Sequence, residues 1–283
     1  CIGAGQKVSQ FTFKGKNWKE FPELSQKMFN VFSVMVQLHE MIWYLSEIIV
    51  LSENSNIRDS IIHLKNEIEN QNEVVEITVT RTTRESEMYV RVNDGPRDPE
   101  AKKFLNTPLI FYNHMMEQIA WRAELNIYLE ASLDHFALNH VICEDLGITF
   151  GKAIGEMMDK KQKMGAPGYG FSYGNIDESM ARSVIGFEKR AYLDLDFGNI
   201  VVPESVEGIN SEDLVSFLEG FVQGAQATLH IDLLKGRNNH GHHQWESIFR
   251  AFGDSLRQAM EVRQWRKNMA AGVAGEITWK IEG

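Results

Sequence analysis

Residues 140–151 read HVICEDLGITFG, and residues 242–253 read HHQWESIFRAFG. In each, a glutamate follows the leading histidine by four positions and a glycine closes the stretch seven positions later. A single offset of 102 residues carries His140 onto His242, Glu144 onto Glu246 and Gly151 onto Gly253. Apolar residues recur at helical spacing in both stretches, so each is expected to be an amphipathic helix. Histidine and glutamate at i and i+4 lie one above the other on the same helix face. Imidazole and carboxylate together suit Mn, Fe, Zn or Co. One such pair by itself is an ordinary polar helix face. Two pairs at equivalent places in a duplication point to metal binding.

Outward from these helices the same order of elements recurs. VVEITVTRTTRESEMYVRVND, from Val74, alternates and is rich in Val and Thr, which predicts strand, turn, strand. LIFYNHMMEQIAWRAE predicts a helix and LNIYLEAS a strand before the His140 helix. In the second half, ARSVIGFEKRAYLDLDF supplies strands, SEDLVSFLEGFVQGAQ a helix and ATLHIDLLKG a strand before the His242 helix. The expected fold is α+β: two ββαβα half-domains, each a four-stranded sheet with helices on one face. The expected boundaries are 75–165 and 166–283, preceded by an extension over 1–74.

The extension reads as a helical hairpin over residues 17–71. Its apolar run, Met28–Leu51, carries His39, Glu40 and Glu47, which argues against a membrane span and for a covered, packed helix. Such a hairpin would pack on the rest of the chain or dock a partner protein. A net charge of −10 with no dense Lys/Arg stripe excludes nucleic acid as the expected partner. Two cysteines are too few for a disulfide scaffold, and no secretory segment is apparent, so a cytoplasmic protein is expected. Cys1 where an initiating Met would stand suggests a trimmed or partial chain.

HVICEDLGITFGKAI and GRNNHGHHQWESIFRAFGDSLRQAM resemble the two signature segments of the imidazoleglycerol-phosphate dehydratase family. RTTRES resembles that family's R-x-T-x-E-T, and FYNHMM its F-D-H-M-L. GNIDESMARS, EKRAYLDLDF, ATLHIDLLKG and, faintly, ITWKIEG resemble further landmarks in the same order. The resemblance covers about residues 75–283. It implies halves folded like the second domain of a ribosomal small-subunit protein. It also implies removal of water from imidazole glycerol phosphate in histidine biosynthesis. Manganese is the implied cofactor, one or two ions per chain, with other divalent metals as alternatives. A trimer-based homo-oligomer is implied, up to 24 subunits, with ligands shared between neighbouring chains.

The resemblance assigns the metal ligands to His114, His140, Glu144, His242, His243 and Glu246. Val141 and Ser216 stand where the family has two more histidines. Glu85 matches the acid–base glutamate. Arg190 and Lys280 match residues that grip the substrate phosphate, while Gly168 replaces a second phosphate arginine. Asp177 and Glu178 match an M-D-E segment, and Asn113 replaces an aspartate. If each metal used the upstream histidine of its own half, His114, His140, Glu144 and His243 would form an intact site. Ser216, His242, Glu246 and Val141 would then form a damaged one. An active lyase and a catalytically silent or repurposed homologue, acting as an assembly or regulatory partner, both stay open.

Overall fold

The computed structural model describes residues 12–13, 16–17, 62, 74–133, 138–275, 278 and 280. The chain divides into two compact units, Cys1–Glu73 and Val74–Gly283. In the first unit a two-stranded ladder pairs Thr12–Phe13 with Lys16–Asn17. The helical hairpin expected over 17–71 lies outside the described residues, apart from position 17 in that ladder and a helical position at 62.

The second unit holds the duplication. Its first half runs β1 (Glu76–Thr82), β2 (Ser86–Asn93), β3 (Leu105–Asn106), α1 (Ile110–Ala123), β4 (Asn126–Leu133) and α2 (Asn139–Met164). The second half runs β5 (Tyr169–Ile176), β6 (Ser179–Gly186), β7 (Tyr192–Asp196), α3 (Ser211–Ala225), β8 (Thr228–Lys235) and α4 (Gly241–Met260). The sheets have matching orders, β1-β2-β4-β3 and β5-β6-β8-β7. The fourth strand of each, β3 or β7, pairs parallel to the strand that follows the helix. In the first half that strand is only two residues long, in a segment whose sequence reads as loop.

Alternation decides which face of each sheet is covered. β2 buries Met88, Val90 and Val92, and β8 buries Leu229, Ile231 and Leu233. The helices of each half lie on that buried face and also pack on helices of the other half, α1 on α4 and α2 on α3. The four helices therefore fill the space between two sheets, and one continuous core runs through both halves. Phe150, Phe217, Phe221, Phe249 and Phe252 sit fully buried at its centre. Glycine brings α2 and α3 into close approach: a Cβ on Gly151 would meet the Phe221 carbonyl oxygen at 2.2 Å, and one on Gly224 the Ile148 carbonyl oxygen at 2.0 Å. α2 ends where Gly165 takes a left-handed φ of 118°, open to glycine at no steric cost.

Candidate metal centre

The first turns of α4 present His242, Glu246 and Arg250 at successive i+4 steps, so the three share one face. α1 packs across that face and brings His114 to it. His242 Nε2 lies 3.2 Å and His114 Nε2 3.7 Å from Glu246 Oε2. The two imidazole rings are 5.5 Å apart at their centroids, and the Phe111 ring stands edge-on to His242 at 5.2 Å. One ligand atom from each of His114, His242 and Glu246 falls within 4.8 Å of the other two.

Each histidine has a carboxylate behind it. His242 Nδ1 contacts Glu207, and His114 Nδ1 lies 3.7 Å from Glu117. That is the arrangement of metal-binding imidazoles, whose second nitrogen faces a carboxylate that fixes ring orientation. Glu246 is only 4% exposed. Its Oε1 accepts from Arg250, whose guanidinium also donates to Gln118 Oε1 and to the Asn175 carbonyl. Arg250 therefore leaves Oε2 as the oxygen that faces the two imidazoles. Two imidazoles and one desolvated carboxylate, all aimed at one point, fit a divalent transition metal.

The first half shows the corresponding place on α2. His140 Nε2 lies 3.3 Å from Glu144 Oε2. His140 Nδ1 is 3.2 Å from Ser216 Oγ on α3, and that hydroxyl also donates to the Glu212 carbonyl. Here the carboxylate is 43% exposed. An open cleft of about 340 Å³ lies alongside, lined by Glu85, Val141 and Glu144 among others. Glu85 sits in the β1–β2 turn. Thr83 Oγ1 accepts from the backbone N–H groups of Glu85 and Ser86 there. Ser86 and Arg81 both bind Asp145, the neighbour of Glu144, so the turn is braced against α2.

The ligands are thus partnered across the halves. His114 was expected beside His140 and Glu144, but it faces His242 and Glu246, while Ser216 faces His140. The reason is packing: the first helix of each half lies against the second helix of the other. His243 stands outside the His114 group. Its Nδ1 lies 3.1 Å from a Glu178 oxygen, and His240 Nδ1 lies 3.2 Å from the same carboxylate. A hydrogen bond from its own backbone N–H and another from His243 hold the Glu178 carboxyl down at about 2. Asp177, Glu178 and His243 form a second group of ligand atoms within 4.8 Å. An open cleft of about 320 Å³ exposes His240, His242 and His243 together.

The phosphate candidates lie elsewhere. Arg190 precedes β7, and its carbonyl accepts from Thr228 at the start of β8. Thr228 pairs with Gly186 at the far end of β6, whereas the Asp177–Glu178 turn lies at its near end. An eight-residue strand separates them, roughly 26 Å at about 3.3 Å per residue. Lys280 is exposed in the C-terminal tail. The residues missed in the sequence are Arg250, Glu207 and Glu117, which orient ligands. Arg250 and Glu117 left a local signal, their i+4 and i+3 spacings from Glu246 and His114, and Glu207 left none.

Fold and site define a duplicated α+β protein whose candidate metal centre lies where helices of its two halves meet. A family model described as imidazoleglycerol-phosphate dehydratase matches residues 107–256. A protein of that name from Hydrogenovibrio crunogenus is 38% identical over 71% of this chain and 98% of its own length. One from Chromohalobacter salexigens is 37% identical over 65% of this chain and 89% of its own. A solved structure of the enzyme from Staphylococcus aureus is 28% identical, with a TM-score of 0.57, covering 67% of this chain and all of that one. The Pyrococcus furiosus structure is 27% identical, with a TM-score of 0.55, covering 65% of this chain and 94% of its own. The chain belongs to the imidazoleglycerol-phosphate dehydratase family.

Proposed function

We propose that this protein is a metal-dependent hydro-lyase that removes water from imidazole glycerol phosphate, a step of histidine biosynthesis carried out in the cytoplasm. The observation that carries the reading is the convergence of His114 and His242 on the buried Glu246 oxygen, in a chain of this family. His114, His242 and Glu246 hold one ion; His140 and Glu144 are the ligands of the second place, with manganese the metal of choice. When bound, such an ion supplies Lewis-acid charge at the substrate imidazole. Phe111 and the core around it keep water from the inner side of the centre, which strengthens every charge interaction there.

Net elimination removes a hydroxyl from the carbon beside the ring and a proton from the next carbon, and the resulting enol becomes the ketone. Glu85 is the residue proposed to move that proton. The braced turn that carries it, and the cleft it shares with Glu144, support this role. Arg190 and Lys280 are proposed to hold the phosphate. Arg190 lies roughly a strand length from the Asp177–Glu178 turn that meets His243, so a neighbouring copy is its proposed route to a substrate. That separation, and the position of His243 outside its own chain's centre, support sites shared between copies; the trimer-based assembly of up to 24 chains is proposed from the family resemblance alone.

The test is turnover of imidazole glycerol phosphate by the metal-free and the manganese-loaded protein. Manganese-dependent formation of the ketone is expected. Glu85→Gln is expected to lower kcat by about 10²- to 10⁴-fold with manganese content unchanged. A second reading, a homologue that keeps the metal but not the reaction, is favoured by Ser216 and Val141. Bound metal with no product would establish it over the first.

A further inference from the structure

The two halves can be compared position by position, because the offset of 102 residues holds through the helices that carry the ligands. His114 corresponds to Ser216, His140 to His242, Glu144 to Glu246, and Ile148 to Arg250. Three differences run the same way, and a fourth, Val141 in the place of His243, removes a histidine from α2. The His242–Glu246 pair meets an imidazole from α1, whereas the His140–Glu144 pair meets a hydroxyl from α3. Glu246 is 4% exposed and Glu144 is 43% exposed. Arg250 fixes Glu246 by one oxygen, and Ile148 can offer Glu144 nothing comparable.

We propose that the two metal places in this chain are unequal: the His114–His242–Glu246 centre loads first and tightly, the His140–Glu144 centre loads weakly, and residue 216 sets the difference. This rests on the metal-dependent reading above and deepens it. A serine hydroxyl is a poor ligand for these metals while neutral. Losing even an outer partner of a ligand costs about 10- to 100-fold in metal affinity, so losing a ligating imidazole costs at least that. The Ser216 hydroxyl is committed besides, donating to the Glu212 carbonyl. Glu144 must also be drawn from water into a fixed rotamer when metal arrives, whereas Glu246 is already held there. The position itself remains suitable, because Oγ of residue 216 is 3.2 Å from the His140 ring. A histidine there would stand to His140 and Glu144 as His114 stands to His242 and Glu246.

The experiment is a manganese titration of the full-length assembled protein, followed by calorimetry and by the electron paramagnetic resonance of bound manganese. The native protein is expected to show one tight ion per chain and a second bound at least ten-fold more weakly. Ser216→His is expected to tighten the second by ten-fold or more. His114→Ser should remove the tight ion and leave only weak binding. Two equal tight sites in the native protein would overturn the proposal, whatever the variants do. So would an unchanged second site in a folded Ser216→His protein, or a surviving tight ion in His114→Ser. Should no manganese bind at all, the metal-dependent reading itself would fall, which is a separate result.

Discussion

Replacing Gly151 by alanine tests the packing that places residue 216 against His140. The added methyl would sit 2.2 Å from the Phe221 carbonyl oxygen and 2.9 Å from the Ala225 nitrogen. Both are backbone atoms of α3, so no side chain can turn aside; the helix itself must move by about an ångström to reach ordinary contact. Alanine in a helix interior gains about 1 kcal/mol over glycine. Overpacking a well-filled core costs about 1–3 kcal/mol, and a backbone neighbour puts this case at the upper end. The net is a loss of about 2 kcal/mol. For a unit of this size, 1 kcal/mol moves Tm by about 2–4 °C, so a fall of about 4–8 °C is expected. Thermal unfolding followed by circular dichroism reads it directly. A Tm equal to or above that of the native protein would refute the reasoning, since it would mean that α2 and α3 can separate at no cost. Gly147→Ala, aimed at the Phe217 carbonyl oxygen at 2.3 Å, should behave alike.

Two further substitutions test the interior. Tyr112 is fully buried and its hydroxyl has no partner among the described residues, so Tyr112→Phe is expected to stabilise the protein by about 1 kcal/mol in denaturant titration. A loss of stability would mean that the hydroxyl is satisfied after all. Asp254 joins α4 to β5: burial raises its carboxyl, but hydrogen bonds from Ser172 and Arg257 outweigh that and hold it below its ordinary 3.8. A depressed folded value means that the stabilisation is present above about pH 4 and is lost as pH falls through that lower value. Asp254→Asn should therefore be less stable than the native protein at neutral pH, with the gap narrowing as the pH falls below about 4; a gap that does not narrow in acid would show that the charge is not its source.

What was legible in the sequence was what repeats locally. The His140 and His242 helices, the strands that precede them and the 102-residue register all depend on spacing within short stretches, and the structure contains them. β5 was not legible as a strand. Its inward positions are Gly170, Ser172 and Gly174, because α4 lies too close for larger side chains, while Tyr169, Phe171 and Tyr173 point to the exposed face. A reader looking for an apolar inner face finds only glycine and serine there. β3 was hidden for another reason: two residues are too few for any periodicity. The partnering of ligands was also beyond reach, since an i, i+4 pair fixes one helix face and says nothing about which helix packs on it. Glu207 meets His242 from 35 residues away, a contact that no local pattern announces.

The crossed partnering has a consequence for how the two halves can drift apart. If each centre were built within its own half, a substitution on α3 would harm the centre of the second half, where His242 and Glu246 lie. Because α3 packs on α2, loss of an imidazole at residue 216 falls instead on His140 and Glu144, and the His114–His242–Glu246 group is untouched. The same geometry frees the second-half carboxylate to acquire its own support, and Arg250 supplies it from within α4. Ser216, exposed Glu144 and Ile148 then belong together: once residue 216 no longer ligates, little is gained by burying or clamping the carboxylate beside it. The carboxylate and its histidine persist, still on one helix face and still beside Glu85. On the function proposed above, that arrangement suits one centre for firm binding and a second, more weakly held ion beside the proposed acid–base residue.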